Sequence, residues 1–350
     1  MRTGSDDTSD MILTAEELTI VYRSRGKSPV RAVDRVDLTV RRGETLGLVG
    51  ESGSGKSSIG KALVQLPSPT SGRVRLADLE LTSLKGRRLR EARRRIQMIF
   101  QDPISSLNPR RTAQQIVAEP LRIAKREDAM ERALEVLAEV GVDAQMAQRR
   151  PHELSGGQCQ RVSIARALVQ EPEMLICDEP VSALDVSVQA QVLNLLERTK
   201  AEHDLSMVFI SHDLAVVSNI SDRVAVLYLG RLCELAPAQT LYAHPRHPYT
   251  NLLLSSIPDP ERERTTDTGP VVRSRPDDQA GCQFAPRCPA ATDLCRTSQP
   301  EFAEIEPGHF VACHHMVPVG AAGDRSLPVL PTATLPRQTA PVIAADEERP

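Results

Sequence analysis

Gly50-Glu51-Ser52-Gly53-Ser54-Gly55-Lys56-Ser57 fits the pattern GxxxxGK(S/T), and no other stretch constrains the fold as tightly. Backbone N–H groups can wrap a phosphate only where the chain comes within hydrogen-bond range of it. Gly53 and Gly55 carry no Cβ to obstruct that approach. Thr45 to Val49 read as a buried strand before the loop, and Lys56 to Leu66 as a helix after it, stopped by Pro67. The helix N-terminus then points at the phosphates. Lys56 can reach the β and γ phosphates as a flexible point charge, and the Ser57 hydroxyl can ligate Mg²⁺. Gly50 through Ser58 is the candidate triphosphate-binding set.

A second segment, Met174-Leu175-Ile176-Cys177-Asp178-Glu179-Pro180, reads as a central parallel strand that ends in two carboxylates. Adjacent acids at a strand end cost desolvation energy unless a cation or a reacting group waits there. Asp178 suits the Mg²⁺ shell, and Glu179 suits a general base that polarises the attacking water.

Leu154-Ser155-Gly156-Gly157-Gln158 opens a helix whose apolar positions include Val162, Ile164, Ala165 and Leu168, with Pro172 as the stop. Ser155 and Gln158 have capping-box spacing. The two glycines bare a helix N-terminus that can meet an anion. With this LSGGQ run the chain resembles the ATP-binding cassette (ABC) family. That resemblance implies that Leu154 to Gln158 clasp the γ-phosphate of an ATP held by a second subunit. It further implies that Tyr22 stacks on adenine and that Gln101, in Ile99-Phe100-Gln101-Asp102-Pro103, reaches Mg²⁺ or the attacking water. Asp185, in Ser182-Ala183-Leu184-Asp185, is then the D-loop acid, and His212 the switch histidine at the γ-phosphate.

At 350 residues the chain can bury at least one large core. A net charge of −3 gives no reason to expect a nucleic-acid partner. Arg87, Arg88, Arg90, Arg93, Arg94 and Arg95 read as a solvated helical face or a permease contact. No apolar run reaches the ~18 to 20 residues of a membrane helix, and the polar N-terminus lacks a signal-peptide core. The expected location is the cytoplasmic face of the cell membrane.

The fold expected is α/β: a RecA-like P-loop NTPase core at 11–84 and 166–245, with a helical signature subdomain inserted at 85–165. The helical stretch includes Asp128 to Val140. A small C-terminal region with four cysteines spans 246–316, and residues 1–10 and 317–350 read as disordered.

Ser105 to Arg110, His247-Pro248-Tyr249-Thr250 and the stretch that opens at Gly281-Cys282 look like the oligopeptide and dipeptide importer ATPases. This resemblance implies an ATP-hydrolysing subunit of a peptide importer. Its partners would be a second ATPase subunit, two membrane permeases and an external solute-binding protein. Import of nickel or other small solutes is an alternative, and so is a soluble cassette ATPase acting on ribosomes or DNA.

Cys282, Cys288, Cys295 and Cys313 follow Cx5Cx6Cx17C spacing in a region too small to fold around its own apolar core. Four thiolates can cross-link such a region through metal. Spacing alone leaves the metal open; the importer resemblance points to a 4Fe–4S cluster, with Zn²⁺ as the alternative and free thiols as the plainest outcome. His309, His314 and His315 could replace a cysteine, although exposed histidines are the simpler expectation. Cys159, Cys177 and Cys233 read as packing residues.

Overall fold

The computed structural model describes residues 10–256, apart from 24 and 27, and residues 280–318. The N-terminal expectation for 1–9 and the tail expectation for 319–350 lie outside these residues, as does 257–279. At the edges, Asp10 O accepts from the Arg42 N–H at 2.9 Å and the Val317 N–H donates to Arg246 O at 2.8 Å.

The chain opens with β1 (Met11–Tyr22), β2 (Val30–Arg41), β3 (Thr45–Val49), α1 (Lys56–Leu63), β4 (Ser71–Leu76) and β5 (Leu79–Glu80). It continues through α2 (Gly86–Ala92), β6 (Ile96–Ile99), α3 (Pro103–Ser106), α4 (Ala113–Ile123), α5 (Ala129–Glu139), α6 (Ala144–Ala147) and α7 (Gly156–Leu168). Next come β7 (Met174–Asp178), α8 (Val186–Glu202), β8 (Ser206–Ile210), α9 (Leu214–Ile220), β9 (Arg223–Tyr228) and β10 (Arg231–Pro237). The described chain ends with α10 (Ala238–Ala243), α11 (Pro248–Ser255), α12 (Asp293–Thr297), β11 (Ala303–Glu306) and β12 (His309–Val311).

These strands form an eight-stranded sheet in the order β11-β12-β10-β9-β3-β8-β7-β6 and a four-stranded sheet in the order β2-β1-β4-β5. The run β9-β3-β8-β7-β6 is parallel. Its strands are mainly apolar because both faces are covered. Side chains alternate across a strand, so Met174 and Ile176 enter one core while Leu175 and Cys177 enter the other. Val208 and Ile210 are divided from Met207 and Phe209 in the same way. One core lies toward the four-stranded sheet and α1; the other takes in α4, α5, α7 and α8.

The C-terminal segment adds strands to the main sheet. β12 pairs antiparallel with β10, and Phe284 is buried in the same core as Tyr228 and Tyr249. A segment too short to build a core of its own is thereby stabilised by one built elsewhere in the chain.

Three expectations need correction. The stretch 85–165 is not helical throughout, because Ile96–Ile99 pairs parallel with β7 as the edge strand of the main sheet. α1 stops at Leu63 rather than Leu66, because Gln65 takes φ +61° and its side-chain amide turns back to Ala62 O. Arg93 closes that end by donating to Val64 O and Gln65 O. The arginine run is therefore not one solvated face: Arg93 holds α1, and Arg95 forms a two-pronged pair with Glu173. Arg87, Arg88 and Arg90 do face solvent.

Candidate active site

The expected loop residues lie at the carboxyl end of β3, where a doubly covered parallel sheet leaves room for a ligand. Gly55 caps α1 with φ +107°, and a Cβ there would stand 2.4 Å from Ala32 O, so only glycine fits. Lys56 is buried, and its Nζ donates to Gly50 O at 2.7 Å and Glu51 O at 2.9 Å. Burial pushes its pKa down, opposed by Glu179, Asp178 and Glu51.

β7 brings its two acids to the same end of the sheet. Ser57 Oγ donates to Asp178 Oδ1 at 2.7 Å, which puts two hard oxygen donors side by side. Burial raises the Asp178 pKa, and the Ser57 hydrogen bond works against that. Glu179 adopts φ +47°, a left-handed conformation uncommon outside glycine, while its N–H donates to Ile210 O at 2.9 Å. Gln101 Nε2 donates to Glu179 Oε2 at 3.0 Å, and His212 Nδ1 lies 3.2 Å from Glu179 Oε1. Three residues more than 30 positions apart in sequence thus meet at one carboxylate.

Tyr22, at the end of β1, leaves its ring partly exposed and donates its hydroxyl to Ser58 Oγ at 3.1 Å. A half-exposed ring beside the first turn of α1 is free to stack on a flat ligand.

Ser155 caps α7 through the expected box: Gln158 N donates to Ser155 Oγ at 3.3 Å, and Ser155 N to Gln158 Oε1 at 2.8 Å. Ser155 and Gly156 face solvent. Gly157 has a packing role that its spacing does not reveal, because a Cβ there would come 2.7 Å from Val188 Cγ1 of α8. Among the described residues, no hydrogen bond joins Ser155–Gln158 to Gly50–Ser57. Asp185 caps α8, accepting from Val188 N at 3.0 Å and Ser187 Oγ at 2.7 Å.

The four C-terminal cysteines line one cavity, together with His314 and His315. The cavity is narrow and partly open to solvent. Cys313 is pushed up to about 11 by burial and then by the neighbouring thiols. Among the described residues no cysteine is paired in a disulfide. Among the described residues, no three side chains of His, Cys, Asp or Glu converge closely enough to hold one ion. His309 departs from the expectation of exposure: it is 1% exposed and bonds Glu234 at 2.8 Å. Cys233 lies against this group from β10; burial raises its pKa, and Cys282 and Cys313 add to that.

Two residues absent from the sequence-level candidates are central here. Arg287, between Cys282 and Cys288, reaches Glu51 in the phosphate loop, and Glu234 ties β10 to two other segments. A single basic residue in a Cys-Pro loop and a single acid on a strand carry no periodic signal.

Residues 33–182 match the family described as ABC transporter, and residues 233–295 match the oligopeptide/dipeptide transporter C-terminal region. A probable peptide ABC transporter ATP-binding protein, y4tS of Sinorhizobium fredii (strain NBRC 101917 / NGR234), is 48% identical over 90% of this chain and 92% of its own length. The chain belongs to the ABC transporter ATP-binding proteins. A second member, the oligopeptide transport ATP-binding protein AppF of Bacillus subtilis (strain 168), is 48% identical over 81% of this cassette chain and 89% of its own. A dimeric post-hydrolysis structure of the cassette MJ0796 bound to ADP and Pi matches with TM-score 0.59 and 31% identity, covering 65% of this chain and 98% of that one. No helix among the described residues is long and apolar enough to cross a membrane.

Proposed function

We infer that this ABC ATPase is the ATP-binding, ATP-hydrolysing subunit of a multi-subunit importer of peptides. The observation that carries this is the union, in one chain, of the cassette match with the oligopeptide/dipeptide C-terminal match. The relatives' names favour peptides over nickel, and a soluble cassette acting on ribosomes or DNA leaves the C-terminal match without a purpose.

In this reading the Gly50–Gly55 backbone and Lys56 bind the triphosphate. Lys56 exchanges its present bonds to Gly50 O and Glu51 O for phosphate oxygens. Ser57 and Asp178, with Gln101 nearby, hold Mg²⁺, which supplies charge neutralisation on the phosphates. Glu179 takes the proton of the attacking water, while Gln101 and His212 orient its carboxylate. Tyr22 stacks on the adenine ring. Leu154 to Gln158 complete the site of a second cassette, and Asp185 lies in the loop that meets it. Closure of the two cassettes drives two membrane permeases, fed by an external solute-binding protein, with this chain peripheral at the cytoplasmic face.

Purification of the chain from its native cells in mild detergent is expected to bring two multi-span permeases and a second cassette, identified by mass spectrometry. Ribosomal or DNA-repair partners without permeases overturn the importer reading.

A 4Fe–4S cluster on Cys282, Cys288, Cys295 and Cys313 belongs to this reading, with Zn²⁺ as the alternative. Four thiols around one cavity support a thiolate-bound centre. Such a centre would add a cross-link to a segment too small to fold around a core of its own. Anaerobically purified protein is expected to contain iron and acid-labile sulfide with broad visible absorption; protein without iron or zinc removes the metal from the account.

A further inference from the structure

Glu51 is the second residue of the phosphate loop, a place where a free carboxylate would repel an incoming triphosphate. Arg287 meets it with a fork: Nη1 to Oε2 at 2.9 Å and Nη2 to Oε1 at 2.8 Å. The Arg287 side chain is only 2% exposed, against 28% for Glu51. Its guanidinium carbon lies 5.8 Å from the ring centroids of both Tyr228 and Phe284. The Glu51 N–H donates to Tyr249 Oη at 2.9 Å, and the Tyr249 ring lies 5.3 Å from that of Phe284. Both the side chain and the backbone of Glu51 are therefore held from the C-terminal half of the chain.

The segment that carries Arg287 also walls the cysteine cavity. Cys282, Phe284, Ala285 and Cys288 line it, and backbone bonds from Ala285 N to Cys282 O and from Arg287 N to Phe284 O set the turn that aims the guanidinium away toward Glu51. We propose that Arg287 is a positioning residue for the phosphate loop, one that neutralises and orients Glu51 so that nucleotide affinity depends on the fold of the Cys282–Cys288 turn. Arg287 acts through Glu51 and takes no part in the chemistry. The inference rests on the ATP-binding reading and requires no particular metal.

The test uses the full chain, with a fluorescent ATP analogue and Mg²⁺ for Kd and a coupled assay for KM and kcat. Arg287→Ala is expected to raise Kd and KM about tenfold while kcat stays within about twofold, since a lost ground-state clamp weakens binding uniformly. Arg287→Lys keeps the charge but loses the fork, and is expected to fall between. The pair Arg287→Gln and Glu51→Gln is expected to lose no more affinity together than the worse single variant, because each acts through the other. Wild-type Kd in Arg287→Ala, or additive losses in the pair, overturns the proposal. Should Arg287→Ala fail to fold, Arg287→Lys decides: a raised Kd supports the clamp and an unchanged one removes it. A wild-type chain that binds no ATP would sink the ATPase reading itself, whereas normal wild-type binding with indifferent Arg287 variants sinks only this inference.

Discussion

Glu179→Gln is expected to lower the ATPase rate about 10²- to 10⁴-fold, the usual cost of removing a general base. The substitution is nearly isosteric, and an amide can still accept from Gln101 Nε2 and donate to His212 Nδ1, the two partners of the present carboxylate. Local geometry should therefore survive, including the left-handed backbone held by the Glu179 N–H to Ile210 O bond. What is lost is the capacity to take a proton from water. Nucleotide binding should persist, because Lys56, Ser57 and Asp178 are untouched, and unhydrolysed ATP should accumulate between paired cassettes. Single-turnover hydrolysis measures the rate, and gel filtration with ATP and Mg²⁺ measures the trapped dimer. Wild-type turnover in this variant would remove Glu179 from the base role and leave the Gln101–Glu179–His212 cluster as a structural contact.

Glu234→Ala is expected to destabilise the protein by about 3 kcal/mol, the lower part of the range for breaking a buried ionic partner. Glu234 is fully buried on β10. One oxygen accepts from the Arg246 N–H at 2.7 Å and bonds His309 Nε2 at 2.8 Å, while the other accepts from the His247 N–H at 2.9 Å. Three segments of chain converge on this carboxylate: β10, the turn into α11, and β12. Alanine leaves all these donors without an acceptor in a dry site, and each unmet buried donor costs about 1–3 kcal/mol. Glu234→Gln keeps acceptor capacity and should cost about half as much. Thermal melting should show a fall of roughly 6 to 12 °C for Glu234→Ala, taking about 2–4 °C per kcal/mol. Hydrogen exchange should quicken first in His309–Val311, whose pairing with β10 the carboxylate supports. An unchanged melting point would show that water or a rearranged partner satisfies these donors.

Both residues bear on what can be read from a chain before it folds. Glu179 is nominated by a local pattern: an apolar strand ending in two acids can be recognised from neighbours one and two positions away. The same holds for Gly50–Ser57, for the Ser155–Gln158 box and for the strand–helix alternation that builds the parallel sheet. Their physics is short-ranged, set by φ, by alternation of side chains and by the free N–H groups of a helix start. Glu234 and Arg287 belong to another class. Each is an isolated charge whose role depends on a partner that is distant in sequence: His309 for the first, Glu51 for the second.

The arginine run shows the same divide within a few residues. Six arginines in nine positions suggested a solvated helical face or a permease contact, yet Arg93 caps α1 and Arg95 grips Glu173. Composition cannot separate those from Arg87, which faces solvent. The end of α1 was missed for the same reason, since the carbonyls that Arg93 binds are 28 and 29 residues away.

By itself, the sequence determined the nucleotide chemistry, the α/β class and the family, because those depend on motifs whose residues act within a few positions of one another. Only the tertiary structure decided that the cysteine-bearing segment shares the main core and grips the phosphate loop. Burial and charge pairing are properties of neighbours in space, and a lone arginine or glutamate acquires its meaning only when the fold delivers the partner that its buried charge requires.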